Sequence, residues 1–324
     1  MTFILSFRTL PRRFRNHFVL SSRSIYSPSS ALSVSPPMPS STSNAGELFA
    51  HKDYNAKDYA AYRPSYPKEL YEAILAFEAN GREGRGKMET ILDVGCGPGT
   101  ATFCLREYGT RVIGQDFSEV QIAAANEKAK EMAMQETAGK EGESCSEVSF
   151  CVGPAEELHI GDHTCDVVTT AQALHWFDHP KFFAEVKRVL RKGTGTLAVW
   201  TYSAPVFEKC ESAQSFFKEK YDALPWDWRR LDYVDKGYES IPFPFEEVKK
   251  KEFKVHKQMS LSFFLGYLST WSPMKELGSE KAAERLADIR RGLLKAHGRG
   301  EGDDPESLEI SLFFGIKLIL ARNS

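Results

Sequence analysis

The apolar positions change period along the chain, and those changes outline its elements. Leu70, Ile74, Leu75 and Phe77 recur at helical spacing and predict a helix over Lys68–Ala79. Pro67 opens it, because the N–H that proline lacks would have no partner there. Short runs rich in β-branched residues then alternate with helical stretches. Strands are expected at Thr90–Val94, Arg111–Gln115, Glu147–Val152, Asp166–Thr170 and Thr196–Thr201. Helices are expected at Thr100–Glu107, Glu119–Gln135 and Pro180–Leu190. Ser118, with Gln121 three residues on, forms a capping-box pattern for the second of these. Arg191-Lys192 and Gly193 read as the basic end and C-cap of the third. Strand–helix alternation implies a parallel sheet with helices on both faces.

After residue 202 the alternation stops. Pro205–Leu224 reads as helical, and Pro225–Pro244, rich in Trp, Tyr, Pro and Arg, as irregular. Phe245–Met259 and Leu308–Ala321 read as two long strands with helical material between them. Gly81–Gly86 and Thr137–Ser146 read as loops. The expectation is one domain over residues 47–324: a core at 54–202, a cap at 203–244 after the fifth strand, and a strand–helix–strand unit at 245–324.

Composition narrows the class. The chain has 324 residues, 42% of them apolar, enough for a sizeable core. Its longest apolar runs fall well short of the ~20 residues that span a membrane as a helix. Residues 1–46 hold Arg8, Arg12, Arg13, Arg15 and Arg23, no lysine and no acid. With those five set aside, 37 of the 42 basic residues face 44 acidic ones, so the rest of the chain is net −7. Such a body is a poor partner for nucleic acid, where affinity comes from neutralising phosphates. Cys96, Cys104, Cys145, Cys151, Cys165 and Cys210 show no Cys-x-x-Cys spacing, so neither a metal site nor a disulfide framework is expected. The Arg-rich, Ser-rich leader has the make-up of a mitochondrial transit peptide, the alternatives being a disordered tail or an upstream start codon. A cytoplasmic or mitochondrial location follows; the oligomeric state is left open, a monomer included.

The candidate chemistry begins at Asp93-Val94-Gly95-Cys96-Gly97-Pro98-Gly99-Thr100, where a strand ends and a helix starts. Glycines let the backbone pass close to a ligand, and a helix start offers unpaired N–H groups. A dinucleotide fingerprint is G-x-G-x-x-G. Here the third glycine, Gly99, comes one position early, after Gly95 and Gly97. Asp93 would repel a pyrophosphate but suits a ligand carrying an ammonium and a sulfonium, as S-adenosylmethionine does. Asp116 ends the second strand 21 residues after Gly95, where an acid can accept both ribose hydroxyls, or else cap the next helix. Ala155 and Glu156 follow the third strand and are placed beside the adenine, the alternative for Glu156 being a solvated loop carboxylate.

The D-V-G-C-G-P-G-T loop, Asp116, the G-P-A-E-E-L segment and the stretch from Asp166 to Asp178 together resemble class I methyltransferases of the type 11 kind. Tyr62–Pro67 (Y-R-P-S-Y-P) and Gln172–Phe177 (Q-A-L-H-W-F) resemble the trans-aconitate methyltransferase-like group of fungi and plants. The resemblance implies a Rossmann-like three-layer α/β sandwich, a mostly parallel seven-stranded sheet, and S-adenosylmethionine as cofactor. It also implies a small-molecule acceptor, a carboxylic acid, with neither nucleic acid nor membrane as partner; the alternatives are a nicotinamide-dependent oxidoreductase on a Rossmann fold and a methyltransferase for another small-molecule or macromolecular acceptor.

The acceptor side is sought after the fourth strand, since ligands of open sheets sit at the carboxyl ends of strands. Gln172 is assigned to the cofactor. His175 would orient the acceptor or act as a base, or else fix its loop. Arg63 would hold an anionic substrate or pin the N-terminal segment. Tyr62, Trp176, Arg229 and Arg230 complete the expected substrate pocket, with Phe177 as a further wall; for each arginine the alternative is a surface position. His159, His163 and His179 are expected at the surface.

Overall fold

A computed structural model describes residues 62–63, 65–79, 87–137 and 146–322. The leader, Tyr54, Tyr59, the loop at 81–86 and residues 138–145 lie outside the described residues. Parallel strands β1 (Met88–Val94), β2 (Gly109–Asp116), β3 (Glu147–Val152), β4 (Val167–Ala171) and β5 (Thr196–Tyr202) lie in the order β3-β2-β1-β4-β5. Helices α1 (Lys68–Ala79), α2 (Thr100–Leu105), α3 (Glu119–Thr137) and α4 (His179–Val189) come before and between them. This is the expected Rossmann-like α/β architecture.

The sheet has eight strands rather than seven. The long strands β7 (Glu247–Ser260) and β8 (Glu309–Arg322) pair antiparallel along their whole length, and β8 also runs antiparallel to β5. The extra strand is β6 (Val206–Phe207), two residues inside the stretch read as helical, paired with Leu312 and Phe313 of β8. Phe207 is buried against Phe217 and Phe264, so tertiary packing outweighs any local helical preference. Helix α5 is correspondingly shorter, Glu211–Asp222.

Two further readings are corrected. The stretch 225–244 is not wholly irregular: α6 spans Trp228–Asp235, N-capped by Asp227, whose Oδ1 accepts the Arg229 and Arg230 N–H groups. Gly193 does not cap α4. That helix ends at Val189, Leu190 turns extended to pair with Cys165, and Gly193 takes its positive φ in the turn that follows. The remaining helices are α7 (Leu261–Ser269), α8 (Ser272–Glu276) and α9 (Ser279–Ala296).

The strands place alternate residues on two cores. Ala198, Trp200 and Tyr202 of β5 join Leu70, Ile74, Phe264 and Leu318 on one face. Leu197 and Val199 join Phe182, Phe183, Val186 and Tyr238 on the other. Each such side chain contributes about 1.5–3 kcal/mol when fully buried. The exposed edge strand β7 carries Lys249, Lys250, Lys251 and Lys254 in the open, a pattern that discourages edge-to-edge pairing.

Asp166, fully buried just before β4, ties three segments together. One oxygen accepts the Glu89 and Thr90 N–H groups at 2.6 and 2.8 Å, and the other meets Arg191 Nε at 2.7 Å. Removing a buried, hydrogen-bonded charge costs about 3–5 kcal/mol. Asp166→Ala is therefore expected to lower the denaturation midpoint by that much stability with the m-value unchanged, measured by urea titration.

Candidate active site

The glycine loop leaves β1 and enters α2, with Gly95, Gly97 and Gly99 at φ +69°, +56° and +83°. Its N–H groups are more committed than the sequence suggests. Gly95 and Cys96 both donate to the Gln115 carbonyl, at 2.8 and 3.2 Å, and Gly97 donates to Asp116 Oδ2 at 2.9 Å. Asp116 Oδ1 accepts the Ser118 N–H at 2.9 Å. That bond takes the donor a reciprocal capping box would use; Ser118 Oγ accepts the Gln121 N–H at a long 3.4 Å. Asp116 is thus a latch between loop and β2 as well as the acid expected near a ribose. Burial raises its carboxyl, and the two N–H donors lower it.

Asp93 is fully buried at the end of β1. Its oxygens accept the Thr102 hydroxyl of α2 at 2.6 Å and the Thr169 hydroxyl of β4 at 2.8 Å. Burial pushes the carboxyl up to about 6 despite these bonds, and Asp116 adds to the rise. Asp93 lines a small cavity of about 40 Å³ with Gly95, Gly97, Thr100, Ala171, Tyr202 and Arg63. Beside the loop, Thr100 Oγ1 and Gln121 Oε1 are buried without a hydrogen-bond partner among the described residues. Sequence reasoning treated Gln121 only as a capping residue. The signal it missed is that Gln121 lies on the first turn of α3, facing Gly97.

Glu156 Oε1 accepts the Asp178 N–H at 2.7 Å, so this oxygen serves the N-terminus of α4. Ala155 is buried, and Gly153 N–H donates to the Asp116 carbonyl at 3.0 Å, which ties this segment to the end of β2. Gln172 sits past β4 at φ +55°, a conformation costing a non-glycine residue about 1–2 kcal/mol. Its amide accepts the Thr201 hydroxyl at 2.7 Å and donates to the Tyr202 carbonyl at 3.1 Å, which joins the ends of β4 and β5.

A second cavity, of about 120 Å³, adjoins the first and shares Arg63 and Tyr202 with it. Arg63 donates to the Tyr202 hydroxyl at 2.9 Å and to the Thr270 carbonyl at 3.2 Å, with Tyr267 under its guanidinium. One wall is a helical face of α6 and its cap: Asp227, Arg230, Leu231 and Val234 follow the i, i+3, i+4, i+7 pattern. Arg230 lies 3.9 Å over the Trp176 ring and 3.4 Å from Asp227. Trp226, Tyr267, Trp271 and Glu276 line the rest with Gln172, His175 and Trp176. Burial raises the Glu276 carboxyl, and Arg230 lowers it.

His175 receives or donates a 2.9 Å hydrogen bond between Nδ1 and the Tyr238 hydroxyl. Burial first, then Arg230, His179 and Arg63, push its imidazole down to about 3, so the ring is neutral at physiological pH. Tyr238 is wholly buried and was not singled out in the sequence.

Four expected placements are corrected. Arg229 is exposed over its neighbour Trp228, because adjacent helical residues point about 100° apart and Arg230 takes the inward position. Tyr62 packs edge-on against Phe263 and lines a neighbouring cavity, not this one. Phe177 is buried under Gly95 against Phe182. His179 is half-buried, its Nε2 at 3.0 Å from the Leu174 carbonyl, whereas His159 and His163 are exposed.

Known proteins match this arrangement. Residues 92–199 match the family described as Methyltransferase domain. A protein of Dictyostelium discoideum named as a methyltransferase is 30% identical over 270 residues, 82% of this chain and 92% of that one. A Saccharomyces cerevisiae protein named as an S-adenosylmethionine-dependent methyltransferase is 31% identical over 160 residues, 49% of each chain. A solved structure titled as a type II methyltransferase, from Anaeromyxobacter dehalogenans, is 29% identical with a TM-score of 0.59, covering 81% of this chain and 98% of that one.

The raised Asp93 carboxyl has a consequence for the unliganded protein. Folded, it holds its proton more tightly than when unfolded, so its contribution favours the fold at acid pH and is lost as pH rises from about 4 to about 6. Two pKa units correspond to roughly 3 kcal/mol. Across that window the stability of Asp93→Asn, measured by denaturant titration, is expected to fall less than that of the wild type by about this amount.

Proposed function

The chain belongs to the S-adenosylmethionine-dependent methyltransferases, and from that premise we propose that it methylates a carboxylate of a small organic acid held under the cap. The donor side fits its cofactor. The orphaned Thr100 Oγ1 and Gln121 Oε1 supply an acceptor each, and Thr100 a donor. Asp93 and Asp116 supply negative charge, and a cationic ligand would restore the ionised form of Asp93 that burial disfavours. When bound, S-adenosylmethionine supplies a methyl group on a sulfonium. The chain's own residues must then present an acceptor atom in line with it, and positioning of this kind can be worth roughly 7–11 kcal/mol.

The setting of the histidine at the cavity supports the acceptor class: its Nδ1 is taken up by the Tyr238 hydroxyl at 2.9 Å, and burial, then Arg230, His179 and Arg63, hold the imidazole below its ordinary range. A hydroxyl or amine acceptor calls for a general base whose pKa lies near the working pH, and an imidazole near 3 is far from that. A carboxylate is already an anion at neutral pH and needs none. It needs orientation, which Arg63 can give from the seam between the two cavities. The cavity of about 120 Å³ offers room for a small acceptor, and a neighbouring one of about 440 Å³ shares Arg63 and Tyr267 with it. An acidic chain outside the leader argues against nucleic acid as substrate. Among the described residues no helix is long and apolar enough to cross a membrane.

The test is a screen of small carboxylic acids, trans-aconitate among them, with product mass and base lability read together. A base-labile methyl ester is expected. Arg63→Gln should lower kcat/KM on that acid roughly 10- to 100-fold, the weight of a charge-assisted hydrogen bond, while S-adenosylhomocysteine affinity changes less. A base-stable N-methyl product would overturn the carboxylate reading.

A further inference from the structure

The segment after α6 makes an unusual turn. Gly237 and Tyr238 are both left-handed, at φ +63° and +62°. The turn is fixed on each side: Gly237 N–H donates to the Val234 carbonyl at 2.9 Å, Tyr238 N–H to the Tyr233 carbonyl at 2.7 Å, and Ile241 N–H to the Tyr238 carbonyl at 3.0 Å. Glycine or asparagine would take the second position with little strain. A tyrosine there, fully buried, is held against its backbone preference. The result is a phenol 2.9 Å from His175 Nδ1, with the two rings 23° from parallel and 6.1 Å apart.

The two partners come from different parts of the fold. His175 lies on the 3-10 turn Leu174–Trp176 after β4, and Tyr238 on the segment that follows α6. The neighbouring contact of Arg230 on Trp176 joins the same pieces, so the Leu174–Trp176 turn is approached from the α6 side at two points.

We propose that Tyr238 is the positioning residue of the acceptor site: its phenol donates to His175 Nδ1, places the imidazole proton on Nε2, and makes His175 a fixed hydrogen-bond donor to the acceptor. The direction follows from acid–base strength. A phenol O–H is a better donor than an imidazole N–H, and an imidazole lone pair is a better acceptor than a phenol oxygen, so the O–H···N pairing is the stronger. The hydrogen bond at one ring nitrogen sets the state of the other. Nδ1 is engaged with Tyr238, which leaves Nε2 as the nitrogen for the cavity that His175 lines. A donor there suits a carboxylate oxygen, and this last clause rests on the reading above; the tautomer assignment does not.

The test uses the full chain with ring-15N histidine, bound to S-adenosylhomocysteine. His175 should show a protonated Nε2 and a bare Nδ1 in the wild type. In Tyr238→Phe the two shifts should move toward a tautomer average, with S-adenosylhomocysteine affinity within about twofold. Turnover of the best acid from the screen should fall roughly 10- to 100-fold in kcat, with KM changed less. A wild-type His175 protonated on Nδ1 would overturn the proposal, as would a Tyr238→Phe protein with unchanged shifts and unchanged kcat. Should that variant fail to fold, the wild-type nitrogen shifts alone decide. They are read without any acceptor, so failure of the acid screen leaves this result standing.

Discussion

Asp93 sits fully buried where β1 ends, and its two oxygens hold a threonine from α2 and a threonine from β4. The glycine loop lies between those anchors. With the start of α2 fixed through Thr102, the loop must turn back within a few residues, and three left-handed glycines are what allow it. The same loop is tied to β2 through Gln115 and Asp116. A charge in such a place is costly to maintain, as its raised carboxyl shows. An arrangement that burdens the empty fold with an unneutralised acid is rewarded when a cationic ligand arrives.

The acceptor side depends on a different kind of constraint. No single loop builds it. Arg63 precedes α1, His175 and Trp176 follow β4, Tyr202 ends β5, and the rest comes from the cap and from the helices after β7. Side-chain contacts join these pieces, among them Arg63 on Tyr202, Arg230 on Trp176 and Tyr238 on His175. Tyr202 ends β5, and Trp176 and His175 lie on the turn after β4. Arg63 and Tyr202 also border the cavity of the glycine loop, so the place where donor and acceptor would meet is bounded by one hydrogen bond between an arginine and a phenol.

The difference explains what could be read from the sequence. The cofactor loop is demanded by local backbone geometry, which only glycine meets at several positions, so Gly95, Gly97 and Gly99 stand out at short spacing. The parallel strands are equally legible, because strands buried on both faces need continuous apolar runs, as at Val167–Val168 and Leu197–Trp200. β6 was not, since two residues carry no period and pair only because β8 extends past the end of β5. Tyr238 was not, since its role rests on a left-handed backbone that its residue type disfavours.

Helix α6 shows that some of the rest was written in the chain but obscured by composition. Two tryptophans, two arginines and nearby prolines suggested an irregular segment. Yet Asp227 is a sound N-cap, and the four positions that meet the cavity, 227, 230, 231 and 234, keep strict helical spacing. Once the helix is granted, Arg229 and Arg230 cannot both face inward, and the apolar Leu231 and Val234 choose between them. The choice has chemical weight. Arg230 inside is balanced by Asp227 and lies on Trp176, so it stiffens the wall. Arg63 donates to the Tyr202 hydroxyl and the Thr270 carbonyl over the Tyr267 ring, at the boundary that the cap cavity shares with the glycine-loop cavity.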